Sequence, residues 1–311
     1  MKIFKLTTIF ALLAAALVSC NKDEQTEGNY PKDGAVRINA SVSAPLTKAA
    51  NTTTFNGRNL SLFLDYGAGE KYTANNILWN NNGGTWTSST LMLWKNGITP
   101  VNIYAYSPFK DGEENAGSII FRIPSDQTSG IENADFVYAC IKDFIPESGL
   151  DEAGAVNITL KHCLVKLTLN ISKNNEFDGT DVEVKSVKLR QTADAVECSI
   201  NNENVENSVF AHSMVRAMDI EMHDVRNNGS VFEAIFFPYL GQRANAKMIT
   251  VDMSNGKSYS YTVPTEGIDF KAGSAYVMSL KVGKDKLNLN GVSIGGWASE
   301  EQDIKGGDAE D

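Results

Sequence analysis

The stretch VNITLKHCLVKLTLNI, Val156 to Ile171, decides the fold. Val156, Ile158 and Leu160 alternate with Asn157, Thr159 and Lys161, and Val165, Leu167, Leu169 and Ile171 keep up the alternation. Successive side chains of a strand point to opposite faces, so this beat gathers the apolar residues of each run on one side. A helix would need them three or four residues apart.

The same pattern recurs in both directions. Upstream, Val36, Ile38, Ala40 and Val42 alternate with Arg37, Asn39, Ser41 and Ser43. Leu60, Leu62 and Leu64 follow, then Val101, Ile103 and Ala105 before Pro108, and Ile119, Phe121 and Ile123 before Pro124. Trp79 and Trp86 enclose NNNGG, the signature of a tight hairpin. Downstream, Val182 and Val184 fall out of phase with Val187 and Leu189, which predicts a bulge at Lys185-Ser186. Val231 to Phe237 is an apolar run ending at Pro238. Ile249, Val251 and Met253, then SNGK, then Tyr259, Tyr261 and Val263 predict a second hairpin. Tyr276, Met278, Leu280 and Val282 make a further strand, and Leu287, Leu289, Val292 and Ile294 one or two last ones. NADFVYAC (Asn133 to Cys140) and NSVFAHSMVRAMD (Asn207 to Asp219) are open to short helical turns.

Many short strands separated by turn signals predict an all-β chain built as two β-sandwiches or barrels in tandem. The polar, Gly- and Asn-containing segment Ser172 to Asp181 reads as the domain boundary or a loop close to it. The first domain is then 35–172 and the second 173–297, with an acidic tail over 298–311.

Residues 1–19 read as an export signal. Lys2 and Lys5 precede the apolar run Ile9 to Val18, which is too short to span a bilayer. Leu17-Val18-Ser19-Cys20 resembles the lipobox of bacterial lipoproteins, in which the cysteine is acylated after cleavage. Asn21-Lys22-Asp23-Glu24 is similar to the surface-export signal of Bacteroidetes lipoproteins. Residues 20–34 then serve as a flexible tether, and Cys20 holds the chain to the outer membrane.

The 311 residues carry a formal net charge of −10, which removal of Lys2 and Lys5 takes to −12. An acidic chain with no basic stripe is a poor nucleic-acid ligand. Cys140, Cys163 and Cys198 allow at most one internal disulfide and read as small buried hydrophobes.

No catalytic constellation, metal motif or cofactor loop stands out, so the chain reads as a non-enzyme without a cofactor. His162 and Cys163 are neighbours in a strand-like run and face opposite ways, which favours a structural histidine. His212 and His223, near Asp219, Glu221 and Asp224, fit no metal-ligand spacing. Asp111, Glu113 and Glu114 around Gly112 lack the rest of a calcium loop. Trp79, Trp86 and Trp94 fit hairpin and core packing, with a sugar platform as the alternative.

Several segments resemble, in order, landmarks of the fimbrillin-like (Mfa-like) proteins of Bacteroidetes, the subunits of type V pili. VRINASVSAPLTKAA is similar to the first strand and processing site of that family, and GTWTSSTLMLWKNGITPVNIYAYSPF to its tryptophan hairpin and aromatic-Ala-Tyr-x-Pro strand. NADFVYA, VNITLKHCLVKLTLNI and FKAGSAYVMSLKVGKDKLNLNGVSIGGW resemble further landmarks. The resemblance implies two transthyretin-like sandwiches displayed on the cell surface in a fimbrium. It also implies assembly with other subunits: a protease cuts after a basic residue, the first strand leaves, and a neighbour's strand replaces it. Here the cut matches Lys48-Ala49, with Arg58 as an alternative because lysine stands where arginine is usual. Val36, Ile38, Ala40 and Val42 would leave, and Leu287, Leu289, Val292 and Ile294 would be donated. The expected role is a fimbrial subunit or an accessory tip adhesin that meets a host or bacterial surface ligand. The alternative is a glycan-binding surface lipoprotein.

Overall fold

The computed structural model describes residues 28–43, 52–57, 59–211, 216–237, 245–265, 267–283, 287–295 and 297. The proposed signal, Cys20, Lys48, Ala49, Arg58, His212 and the acidic tail lie outside these residues.

The chain is all-β. The first nine strands are β1 (Ile38–Ser43), β2 (Thr52–Thr54), β3 (Asn59–Asp65), β4 (Ala74–Asn82), β5 (Thr85–Ser88), β6 (Val101–Ser107), β7 (Ile119–Arg122), β8 (Val137–Phe144) and β9 (Val156–His162). Six more follow: β10 (Val165–Lys173), β11 (Val184–Ala193), β12 (Ala195–Cys198), β13 (Val209–Ala211), β14 (Ala217–Glu221) and β15 (His223–Asp224). The last five are β16 (Val231–Phe236), β17 (Lys247–Met253), β18 (Ser258–Thr262), β19 (Ala275–Val282) and β20 (Leu287–Gly295).

One eight-stranded sheet, ordered β2-β1-β9-β8-β6-β3-β4-β5, forms the first sandwich by folding over itself. The fold line is the β8–β9 step, where only Val137 with His162 and Tyr138 with Lys161 are paired. Beyond that step β1 runs parallel to β9, and the two layers close on a core of Ile38, Leu62, Leu64, Ile103, Val156 and Leu160 among others. The second sandwich packs the sheet β15-β16-β10-β19-β20 against β14-β11-β17-β18. A small sheet, β13-β12-β7, joins a strand from each half of the sequence and covers the outer face of β3, β6 and β8.

Strands β3, β6 and β8 are therefore buried on both faces. Leu60, Leu62, Leu64, Ile103, Ala105 and Ala139 face the first core. Phe63, Tyr104, Tyr106 and Tyr138 face the second. Two phenols anchor this wall. Tyr106 Oη lies 2.8 Å from Asn76 Oδ1 and 3.0 Å from the Lys110 carbonyl, and Ser61 donates to the same Asn76 oxygen at 2.7 Å. Tyr138 Oη lies 2.8 Å from Ser208 Oγ and 2.9 Å from the Asn202 carbonyl, tying the wall to the second half of the chain.

Most local expectations hold. Both hairpins form, with Gly83 and Gly84 at φ +64° and +94°, the left-handed conformation that the first turn needs. The register between β11 and β17 shifts between Val184 and Ser186. In the ambiguous segments, single 3-10 turns at Glu132–Ala134 and Val205–Asn207 precede strands.

The expected boundary at 172/173 falls at the end of β10. β10 already pairs with β16 and β19, so the chain changes sandwich at Cys163-Leu164, one strand earlier than expected. Those two residues are fully buried and carry no linker composition. The polar segment that drew the boundary is a loop inside the second unit, pinned by buried Phe177.

Candidate functional site

The strand expected to leave is built into the first core. Val36, Ile38 and Ala40 are buried, and Val42 is partly buried against the same cluster. Val36 precedes the strand proper and donates its N–H to the Met92 carbonyl at 2.9 Å. β1 pairs in parallel with β9 from Ile38 opposite Val156 to Val42 opposite Leu160. On its other side β2 supplies three residue pairs. Removing β1 would thus bare the apolar teeth of β9 and a row of its backbone groups.

The expected donor belongs to the second sandwich. β20 is the last strand of its sheet and pairs antiparallel with β19 from Leu287 opposite Val282 to Gly295 opposite Ala275. Leu287, Leu289 and Val292 pack partly buried on the second core, and Ile294 pairs with Tyr276.

A junction just past β20 was not foreseen. The Trp297 indole stacks on the His162 imidazole at 3.7 Å, nearly parallel at 5°. Trp297 Nε1 donates to the Gly273 carbonyl at 3.1 Å, and Lys166 Nζ donates to the Trp297 carbonyl at 3.2 Å. His162 Nδ1 lies 2.9 Å from Asp135 Oδ1, and Lys166 pairs with Glu233 at 2.8 Å in a nearly buried ion pair. Asp135, His162 and Trp297 each fall in a segment that stood out in the sequence. Nothing in their spacing says that the three meet.

The tryptophans separate into two kinds. Trp79 and Trp94 are 3% and 2% exposed, so the sugar-platform alternative is corrected for these two: they are core residues. Trp86 is half-buried, with its ring parallel to Phe55 at a centroid distance of 6.1 Å. Cys140, Cys163 and Cys198 are free thiols, and burial pushes all three above the ordinary thiol pKa. Cys163 points into the second core, away from the polar partners of His162. His223 Nδ1 lies 2.7 Å from the Thr128 carbonyl, and Glu113 is paired with Lys110. Among the described residues no group of His, Cys, Asp or Glu is placed to hold a metal ion.

The chain is all-β, with two sandwiches and an apolar first strand built into the core of the first. The chain belongs to the fimbrillin-like family, whose profile matches residues 46–297. No curated protein matches it in sequence. Among solved structures, a putative cell adhesion protein from Bacteroides uniformis ATCC 8492 aligns with a TM-score of 0.59 at 15% identity, covering 86% of this chain and all of that one. One from Bacteroides ovatus ATCC 8483 gives 0.60 at 15% identity, covering 86% of this chain and 99% of that one. The C-terminally truncated tip fimbrial protein Mfa3 from Porphyromonas gingivalis gives 0.52 at 11% identity, covering 85% of this chain and all of that one. At such identities the likeness is one of fold.

Proposed function

We propose that this fimbrial protein is exported as a lipoprotein acylated on Cys20 and assembles at the cell surface by strand exchange. Cleavage after Lys48 severs β1 from the rest of the first sandwich. β1 leaves, and an apolar strand of a neighbouring subunit takes its place beside β9. Main-chain hydrogen bonds supply the pairing, and alternate side chains fill the vacated pockets. The observation that carries this reading is the burial of Val36, Ile38 and Ala40 in a strand joined to the next element through the Lys48 segment. Seating four such side chains contributes roughly 4–8 kcal/mol before ordering costs. That is too much to leave a vacated groove empty. β20, with one sheet neighbour, is the strand of this chain proposed for donation. Shaft and tip-adhesin roles both rest on this joint.

Limited trypsin treatment of the purified chain tests it. Cleavage before Ala49 is expected to yield oligomers or filaments visible by electron microscopy. A synthetic peptide spanning residues 36–43 should suppress them by refilling the groove. A cleaved chain that stays monomeric and takes up no peptide overturns the reading.

A further inference from the structure

The two end strands of the curled sheet, β2 and β5, approach each other across a cleft of about 350 Å³. Trp86 of β5 forms one wall and Thr53 and Thr54 of β2 another, with Asn39, Ser41 and Asn157 on the remaining side. Asn39 and Asn157 are opposite each other in the β1–β9 ladder, and both are exposed. Asn39 Nδ2 donates to Asp151 Oδ2 at 2.8 Å and to Asn157 Oδ1 at 3.1 Å, which fixes both amides in orientation. Asn39 Oδ1 and Asn157 Nδ2 are left as an acceptor and a donor without a partner among the described residues. Among the described residues no lysine, arginine or carboxylate lines the cleft itself, and Asp151 is bonded to Asn39.

We infer that this cleft is a saccharide subsite for a neutral pyranose. An indole backed by a parallel ring offers a rigid apolar face to the C–H side of a sugar. A fixed acceptor and donor, together with threonine and serine hydroxyls, match hydroxyls that both give and accept hydrogen bonds. A cleft of this size holds roughly one or two sugar rings. Among the described residues the lining carries no cation to pair with a sialic or uronic acid. Asn39 and Ser41 belong to β1, so the subsite exists only while β1 is in place. Saccharide binding therefore opposes loss of β1 by mass action. The subsite itself stands on the intact fold and does not need strand exchange to occur.

The test is calorimetry and saturation-transfer NMR on the full mature chain. The probes are methyl α-mannoside, N-acetylglucosamine, lactose and cellobiose, with N-acetylneuraminic acid for comparison. At least one neutral probe should bind saturably. Trp86→Ala should weaken it about tenfold or more, and Trp86→Tyr should largely retain it. Asn157→Leu, at an exposed position, should weaken binding in a chain that still folds. No neutral probe bound up to roughly 50 mM, binding unmoved by Trp86→Ala and Asn157→Leu, or preference for the acidic sugar would each overturn the inference.

Discussion

Tyr106 faces the second core, and burial there pushes its phenol pKa up to about 12. Tyr138 is raised for the same reason. A phenol in the unfolded chain ionises near pH 10. Between that value and about pH 12 the unfolded chain has released a proton that folded Tyr106 retains. Stability linked to this proton is thus fully present below pH 10 and lost as the pH rises through the folded value. Tyr106→Phe should cost about 1–2 kcal/mol at neutral pH, because the Asn76 and Lys110 oxygens lose a donor. It should also make the alkaline fall in stability shallower by about one proton, or about 1.4 kcal/mol per pH unit. Urea titrations at several pH values would check this, and an unchanged slope would contradict the assignment. The sequence marked Tyr106 only as part of the YAYSP landmark. Its shielding comes from distant residues that no local pattern announces.

Elements defined by nearby residues were legible, and elements defined by distant partners were not. The hairpins on Gly83-Gly84 and on SNGK carry their own turn chemistry, so both could be read. The alternation of β1 showed which side chains face inward, because burial sets that pattern. It did not show that the partner is β9, parallel and more than a hundred residues away. The pairing of β7 with β12 is equally silent, since both strands are four residues long and no turn joins them. The end of β20 belongs with these. An end strand of a sheet frays unless its terminus is tied, and Trp297 ties it to His162, Gly273 and Lys166. Trp297→Ala should therefore speed amide hydrogen exchange across residues 287–295 by about tenfold or more while leaving β1 unchanged. Trp297→Phe keeps an aromatic face on His162 and should recover part of the protection. If exchange in β20 stays at its normal rate in the alanine variant, the stack does not hold the strand.

At the scale of the molecule, the alternation predicted two sandwiches but not that they share a wall. β3, β6 and β8 present leucines and isoleucine to one core and aromatic rings to the other. β7 extends the sharing by leaving the first half of the sequence to pair with β12. Two beads on a string would melt separately, whereas two cores with a wall in common lose it together. Calorimetry of the intact chain should then show one transition whose van't Hoff and calorimetric enthalpies agree. Leu62→Ala opens a cavity on the first-core face of the wall and should cost about 2–5 kcal/mol. It should shift that single transition as a whole, and it should raise hydrogen exchange in β10 and β19, which it does not touch. Two resolved transitions, with only the lower one moved by Leu62→Ala, would mean that the sandwiches fold independently. In that case, loss of β1 would weaken the first sandwich alone. With a common wall, the exchange proposed at β1 would be felt through β8 and β6 as far as the sheet that holds β20, and filling the groove in one subunit would stabilise its whole body.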